Sequence, residues 1–158
     1  MQDQLFEAIR DGNLSLVQTL IDKHPQLINT TDNRGSTPLL LAAYYNHDAI
    51  VKHLLTKGAA VDAMDASGHT ALMGVCFKGY VTVAEQLIRA GANVNQTTPR
   101  GATALIYAVS FNHIALAEIL LQHGADATAK DAGGQSAIAY AETKGYDDML
   151  QILQKSIA

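Results

Sequence analysis

An all-α solenoid of stacked helix–turn–helix units is the fold this sequence predicts, and three series of residues predict it. Gly35, Gly68, Gly101 and Gly134 recur every 33 residues. Gly58, Gly91 and Gly124 keep the same spacing, and so do Leu54, Leu87, Leu120 and Leu153. Three series in one register mark a repeat architecture in which each unit is stable only against its neighbours. The register divides the chain into an N-terminal cap unit 1–31, full units 32–64, 65–97 and 98–130, and a C-terminal capping unit 131–158.

The first unit fits with a longer exit loop. Leu16, Val17, Leu20 and Ile21 match Ile50, Val51, Leu54 and Leu55, and the added residue falls in the link around Pro25, which ends the helix. Each full unit then follows one local logic, seen best in 32–64. Asp32, Asn33 and Gly35 form a turn. Thr37 caps a first helix with Pro38 at its opening position, and Leu39, Ala42 and Ala43 give that helix an apolar face with small residues for close approach. Asn46 closes it, at a place held elsewhere by Gly79, Asn112 and Gly145, residue types that tolerate a left-handed cap. Ile50, Val51, Leu54 and Leu55 line the second helix, which stops at Gly58. Helices of about 8 to 12 residues are marginal alone in water, so stacking must supply the stability.

These residues resemble the ankyrin repeat over nearly the whole chain. The resemblance rests on Asp32, Gly35, Thr37-Pro38-Leu39, Ala42-Ala43, Asn46-His47, Ile50-Val51, Leu54-Leu55 and Gly58-Ala59. It continues through Gly68, Thr70, Leu72 and Gly91-Ala92, through Gly101, Thr103, Leu105 and Gly124-Ala125, and through Asp131, Gly134 and Ser136. The last helix mixes Met149, Leu150 and Leu153 with Asp147, Asp148, Gln151 and Lys155, as a polar outer cap requires. Closed ends give the expectation of a whole protein, similar to the small stand-alone ankyrin proteins of bacteria.

The chain departs from the family pattern in three places. The histidine that usually follows the first-helix leucine is replaced by Leu40, Met73, Ile106 and Ala139, so apolar packing is expected in place of its bond to the threonine. Only the first full unit opens its first helix with proline, and Ala71, Ala104 and Ala137 stand there in the later units. Thr98-Pro99 stands where aspartate begins the other turns.

Composition excludes several function classes. A formal charge of −4 supplies no basic field for nucleic acid or anionic lipid. The single cysteine, Cys76, forbids an internal disulfide and suits a reducing compartment, and no secretory leader or membrane-spanning run is present, giving the expectation of a cytoplasmic protein. His24, His47, His53, His69, His113 and His123 have no metal-ligand spacing. Cys76 shares a position with Ala43 and Val109 and reads as a small buried residue. No phosphate loop, triad or elbow appears, so no catalytic residue, cofactor or metal is assigned. Leu87–Asn95 is similar to the setting of asparagine hydroxylation in animal ankyrin proteins, but Asn95 as a brace of its loop is the preferred reading.

What the resemblance implies about binding is a concave surface built from turn tips and first helices. Carried onto this chain, it places Arg34 and Ser36, His69, and Arg100 on the tips. Arg10, Tyr44, Tyr45, Phe77, Lys78, Ser110, Phe111 and Lys144 lie at the exposed ends of the first helices. Tyr44, Tyr45, Phe77 and Phe111 are expected to line up across three adjacent units where stacking needs only polar residues. Aromatic and arginine side chains dominate interface hot spots, so this row is the preferred anchor; the competing reading has the rings packed within the stack. The expected function is a non-enzymatic adaptor, inhibitor or assembly factor that binds another protein and neither nucleic acid nor membrane. It would be monomeric, with weak self-association through the row. The alternative is a receptor for a small molecule or peptide segment in the aromatic groove.

Overall fold

A computed structural model describes residues 1–158. It contains ten helices in five consecutive pairs: α1 (Gln2–Arg10) with α2 (Leu14–Lys23), α3 (Pro38–Tyr44) with α4 (Asp48–Thr56), α5 (Ala71–Lys78) with α6 (Val81–Arg89), α7 (Ala104–Ser110) with α8 (Ile114–Gln122), and α9 (Ala137–Lys144) with α10 (Asp147–Ser156). A short 3-10 helix, Pro25–Asn29, fills the longer exit loop after α2. Odd-numbered helices pack on one another in series and even-numbered helices do the same, giving two layers. The only β-type pairing is an isolated bridge between Met64 and Thr70, so the all-α expectation holds.

One continuous core runs between the layers. Ala8, Ala42, Ala43, Cys76, Ala108, Val109 and Ala141 are buried along the first layer, where small side chains let helices approach, while Val17, Val51, Leu54, Leu87, Leu120 and Leu153 are buried from the second. The hydroxyls of Thr37, Thr70, Thr103 and Ser136 each accept the amide three residues on, at 3.2–3.3 Å, which fixes where α3, α5, α7 and α9 begin. Leu40, Met73 and Ile106 pack into or against the core as expected. Met73 adds something the sequence did not suggest: the Thr70 amide donates to its sulfur at 3.4 Å, a weak stand-in for a polar capping partner.

Three devices tie neighbouring pairs together. On the loop side, Asn29, Asp62 and Asn95 accept the amides of Ala60, Asn93 and Asp126 with their side-chain oxygens at 2.9–3.0 Å. Asn95 also donates to the Gly124 carbonyl, so it does brace its loop.

On the turn side, the Ala66 amide donates to the Arg34 carbonyl and the Ala132 amide to the Arg100 carbonyl. The intervening tie is missing because its donor would be Pro99, which has no N–H. Pro99 packs against Gly68 instead, so tightly that a Cβ there would sit 2.5 Å from its ring. Thr98 accepts one turn amide, Ala102, where Asp32, Asp65 and Asp131 each accept two.

The third device lies at the seam where each first helix ends. His47 and His113 donate from Nε2 to the carbonyls of Arg10 and Phe77 at 3.3 and 3.1 Å. Each imidazole occupies space that only a glycine, Gly12 or Gly79, leaves open. At the alternate positions Asn46 and Asn112 take the glycine's place with φ near +60° (59° and 56°), and Tyr80 and Tyr146 take the histidine's.

Candidate interaction face

The ends of the first-layer helices and the tips of the turns form one face. Tyr44, Tyr45, Phe77 and Phe111 are 54, 42, 44 and 48% exposed, so they do not thicken the core. Their arrangement differs from the expected single row. Tyr44 and Tyr45 meet edge to face with centroids 5.2 Å apart, and Phe77 and Phe111 form a second such pair at 4.6 Å. Two amines cover rings: Lys78 Nζ lies 4.5 Å from the Tyr44 centroid and Lys144 Nζ lies 5.7 Å from that of Phe111. Neighbouring pairs therefore touch diagonally. Tyr44 meets Lys78, Phe77 meets Phe111, and the Ser110 carbonyl accepts Lys144 at 2.8 Å.

His69 is less free than a turn-tip residue was expected to be. It is half-buried, with Nε2 2.8 Å from the Tyr107 hydroxyl and Nδ1 3.7 Å from Asp65 Oδ1. The carboxylate favours a proton on Nδ1, which leaves Nε2 to accept the Tyr107 O–H. Burial, and then the nearby Asp65 charge, pushes the Tyr107 phenol upward, so it remains a neutral donor. Tyr107 also stands edge-on to Phe77, with centroids 6.4 Å apart, and joins the second aromatic pair to the turn. One pair later, Tyr140 donates to Asp131, whose carboxyl is thereby held below its ordinary value. Tyr107 and Tyr140 went unremarked in the sequence, although they share the register position of Leu41 and Gly74.

An open groove of about 1100 Å³ lies over α1, α3, α5 and the first two turns. Arg10, Arg34, Ser36, Tyr44, Tyr45 and His69 line it. Phe77, Lys78, Arg100, Ser110, Phe111 and Lys144 lie outside it, so the structure splits the twelve candidate residues between a groove and the surface that continues beyond it.

Burial pushes the Cys76 thiol up to about 12, which leaves it an inert packing group. No cluster of three histidine, cysteine or acidic side chains is placed to hold a metal ion. No helix is long and apolar enough to cross a membrane.

Fold and face together define a helical repeat protein with an exposed aromatic surface. Residues 5–98 and 72–158 match the family model for ankyrin repeats in three copies, and the chain belongs to the ankyrin repeat family. It is similar to the Ankyrin repeat and SAM domain-containing protein 6 of Mus musculus, 37% identical over 62 residues, which is 39% of this chain and 7% of that protein. It is also similar to the BTB/POZ domain-containing protein 3 of Schizosaccharomyces pombe, 39% identical over 56 residues, 35% of this chain and 11% of that protein. The Ankyrin repeat domain-containing protein 29 of Danio rerio is 32% identical over 62 residues, 39% of this chain and 21% of that protein. The chain thus spans only a small part of the relatives it matches. Ankyrin repeats generally serve as protein–protein interaction modules and are generally non-enzymatic.

Proposed function

We propose that this chain is a non-enzymatic binding module, acting as an adaptor, inhibitor or assembly factor, that takes a protein partner on the face made by the first-layer helices and turn tips. The observation that carries this reading is the exposure of four aromatic rings, 42–54% each, outside the buried core. Two edge-to-face pairs present rigid apolar area, and a stack already held by caps and latches loses little entropy on binding. Arg34, Arg100, Lys78 and Lys144 give the rings a charged rim.

A receptor for a single small molecule fits less well. Such pockets enclose about 300–1000 Å³ and bury most of their ligand, whereas this groove is open and runs across three helix pairs. A protein segment or surface matches its length. The module would work in the cytoplasm as a monomer, with any self-association read from the concentration dependence of light scattering.

Affinity capture from the native host tests the proposal, with wild type and a variant carrying Tyr44, Tyr45, Phe77 and Phe111 all changed to serine as baits. The wild type should retain a partner that the variant loses, while both give the same helical circular dichroism and thermal midpoint. A partner held equally by both baits would move the interface off this face.

A further inference from the structure

We infer that the partner offers a basic segment to the groove over α1, α3 and α5, with one long side chain seated in a notch at Gly74; this rests on the function proposed above. Gly74 lies inside α5, at the register position held by Leu41 in α3, Tyr107 in α7 and Tyr140 in α9. No positive φ or close approach demands glycine there, and a Cβ would meet nothing within 4 Å. A glycine inside a helix is destabilising relative to alanine, so the fold gains nothing from it. What it creates is a gap in the groove floor between larger neighbours.

Charge identifies what enters. Asp3, Glu7 and Asp11 run at a spacing of four along one wall, and all three are exposed. None takes part in an ion pair; the pairs formed are Lys57–Asp22, His69–Asp65 and Arg89–Glu85. Arg10 and Arg34 also line the groove, but carboxylates outnumber them. Tyr44 and Tyr45 share the groove with these carboxylates, with Lys78 already over the Tyr44 ring and His47 stacked beside Tyr45, so a partner's cation would take the remaining exposed ring area. Rings on this face already receive ammonium groups, since Lys78 lies over Tyr44 and Lys144 over Phe111. Beyond the groove the sign reverses. Arg100 and Lys144 stand there, while Asp131 is held by Tyr140 and its own turn amides; Lys78, at the end of α5, sits at the groove's edge over Tyr44. A segment that is basic over α1–α5 and neutral or acidic over α7–α9 therefore complements the whole face, in one orientation.

The probe is a library of random linear peptides displayed on phage, selected against the full chain and eluted. The selected peptides should carry arginine or lysine in their groove-bound part, bind more weakly as salt rises, and compete with one another. Changing Asp3→Asn, Glu7→Gln and Asp11→Asn together should weaken them about tenfold. Gly74→Leu should weaken them by a similar factor, and Gly74→Ala should raise the thermal midpoint, which separates the notch from any need of the fold. Peptides that depend on Tyr44 and Tyr45 yet are acidic or neutral, and indifferent to the three carboxylates and to Gly74, would overturn this inference and leave the proposed function standing. Peptides indifferent to the aromatic residues as well, or no selected peptides at all, would overturn both.

Discussion

Gly79 and His113 interlock across the seam between α5 and α8. The His113 ring reaches through to the Phe77 carbonyl, 3.1 Å from its Nε2, and a Cβ on Gly79 would stand 2.8 Å from its Cε1. The contact joins stability to the face, because the carbonyl it holds belongs to one of the exposed aromatic residues. His47 does the same for Arg10 through the space left at Gly12.

Gly79→Ala should therefore destabilise the fold more than Gly58→Ala. Both residues have positive φ, 87° and 88°, so alanine strains the backbone at either by about 1–2 kcal/mol. A Cβ at Gly58 meets nothing within 4 Å, whereas one at Gly79 displaces the His113 ring and breaks its bond to Phe77. Urea midpoints of the two variants check this; equal losses would show that the interlock contributes nothing.

Leu87 lies at the centre of the stack with no exposed surface. Leu87→Ala should cost about 2–5 kcal/mol, the range for emptying a well-packed leucine site. Thermal or urea unfolding reads it, and an unchanged midpoint would refute the 33-residue register, which places this leucine with Leu54, Leu120 and Leu153.

Asp131 offers a test by pH. The Tyr140 hydroxyl bond is the largest cause holding its carboxyl below the ordinary value of 3.8, with the Gln135 and Gly133 amides assisting against partial burial. A carboxyl depressed in the folded state contributes stability above its unfolded value and loses that contribution as pH falls through the folded one. Tyr140→Phe should move the Asp131 titration up toward 3.8 and flatten the loss of stability on the acid side. Carboxyl ¹³C shifts followed through that range decide it; an unmoved titration would rule out Tyr140 as the cause.

The sequence made the local chemistry legible. Aspartate at the turns, threonine at the caps, and asparagine or glycine at the left-handed positions all act within a few residues, so their roles could be read directly. The split of the aromatic row could not. Tyr44 touches Lys78, Phe77 touches Phe111, and the Ser110 carbonyl takes Lys144, each contact falling one residue beyond the repeat. That offset is set by how each pair is placed against the next, which a linear register does not contain. The His69 contact was hidden for a similar reason: its partner Tyr107 lies in another unit. Gly74 was in plain register with Leu41, Tyr107 and Tyr140, but a lone glycine in a chain punctuated by glycines carried no signal until the space around it was visible.

The alternation at the seams restricts how this chain could be shortened. Removing 65–97 would bring Asn46 against His113, where the imidazole needs a glycine to pass. Removing 65–130 would bring Asn46 against Tyr146, the same two residue types that face each other at Asn46 and Tyr80. The interchangeable part is thus a cassette of two repeats, and a lineage that gains or sheds repeats cleanly would do so in pairs.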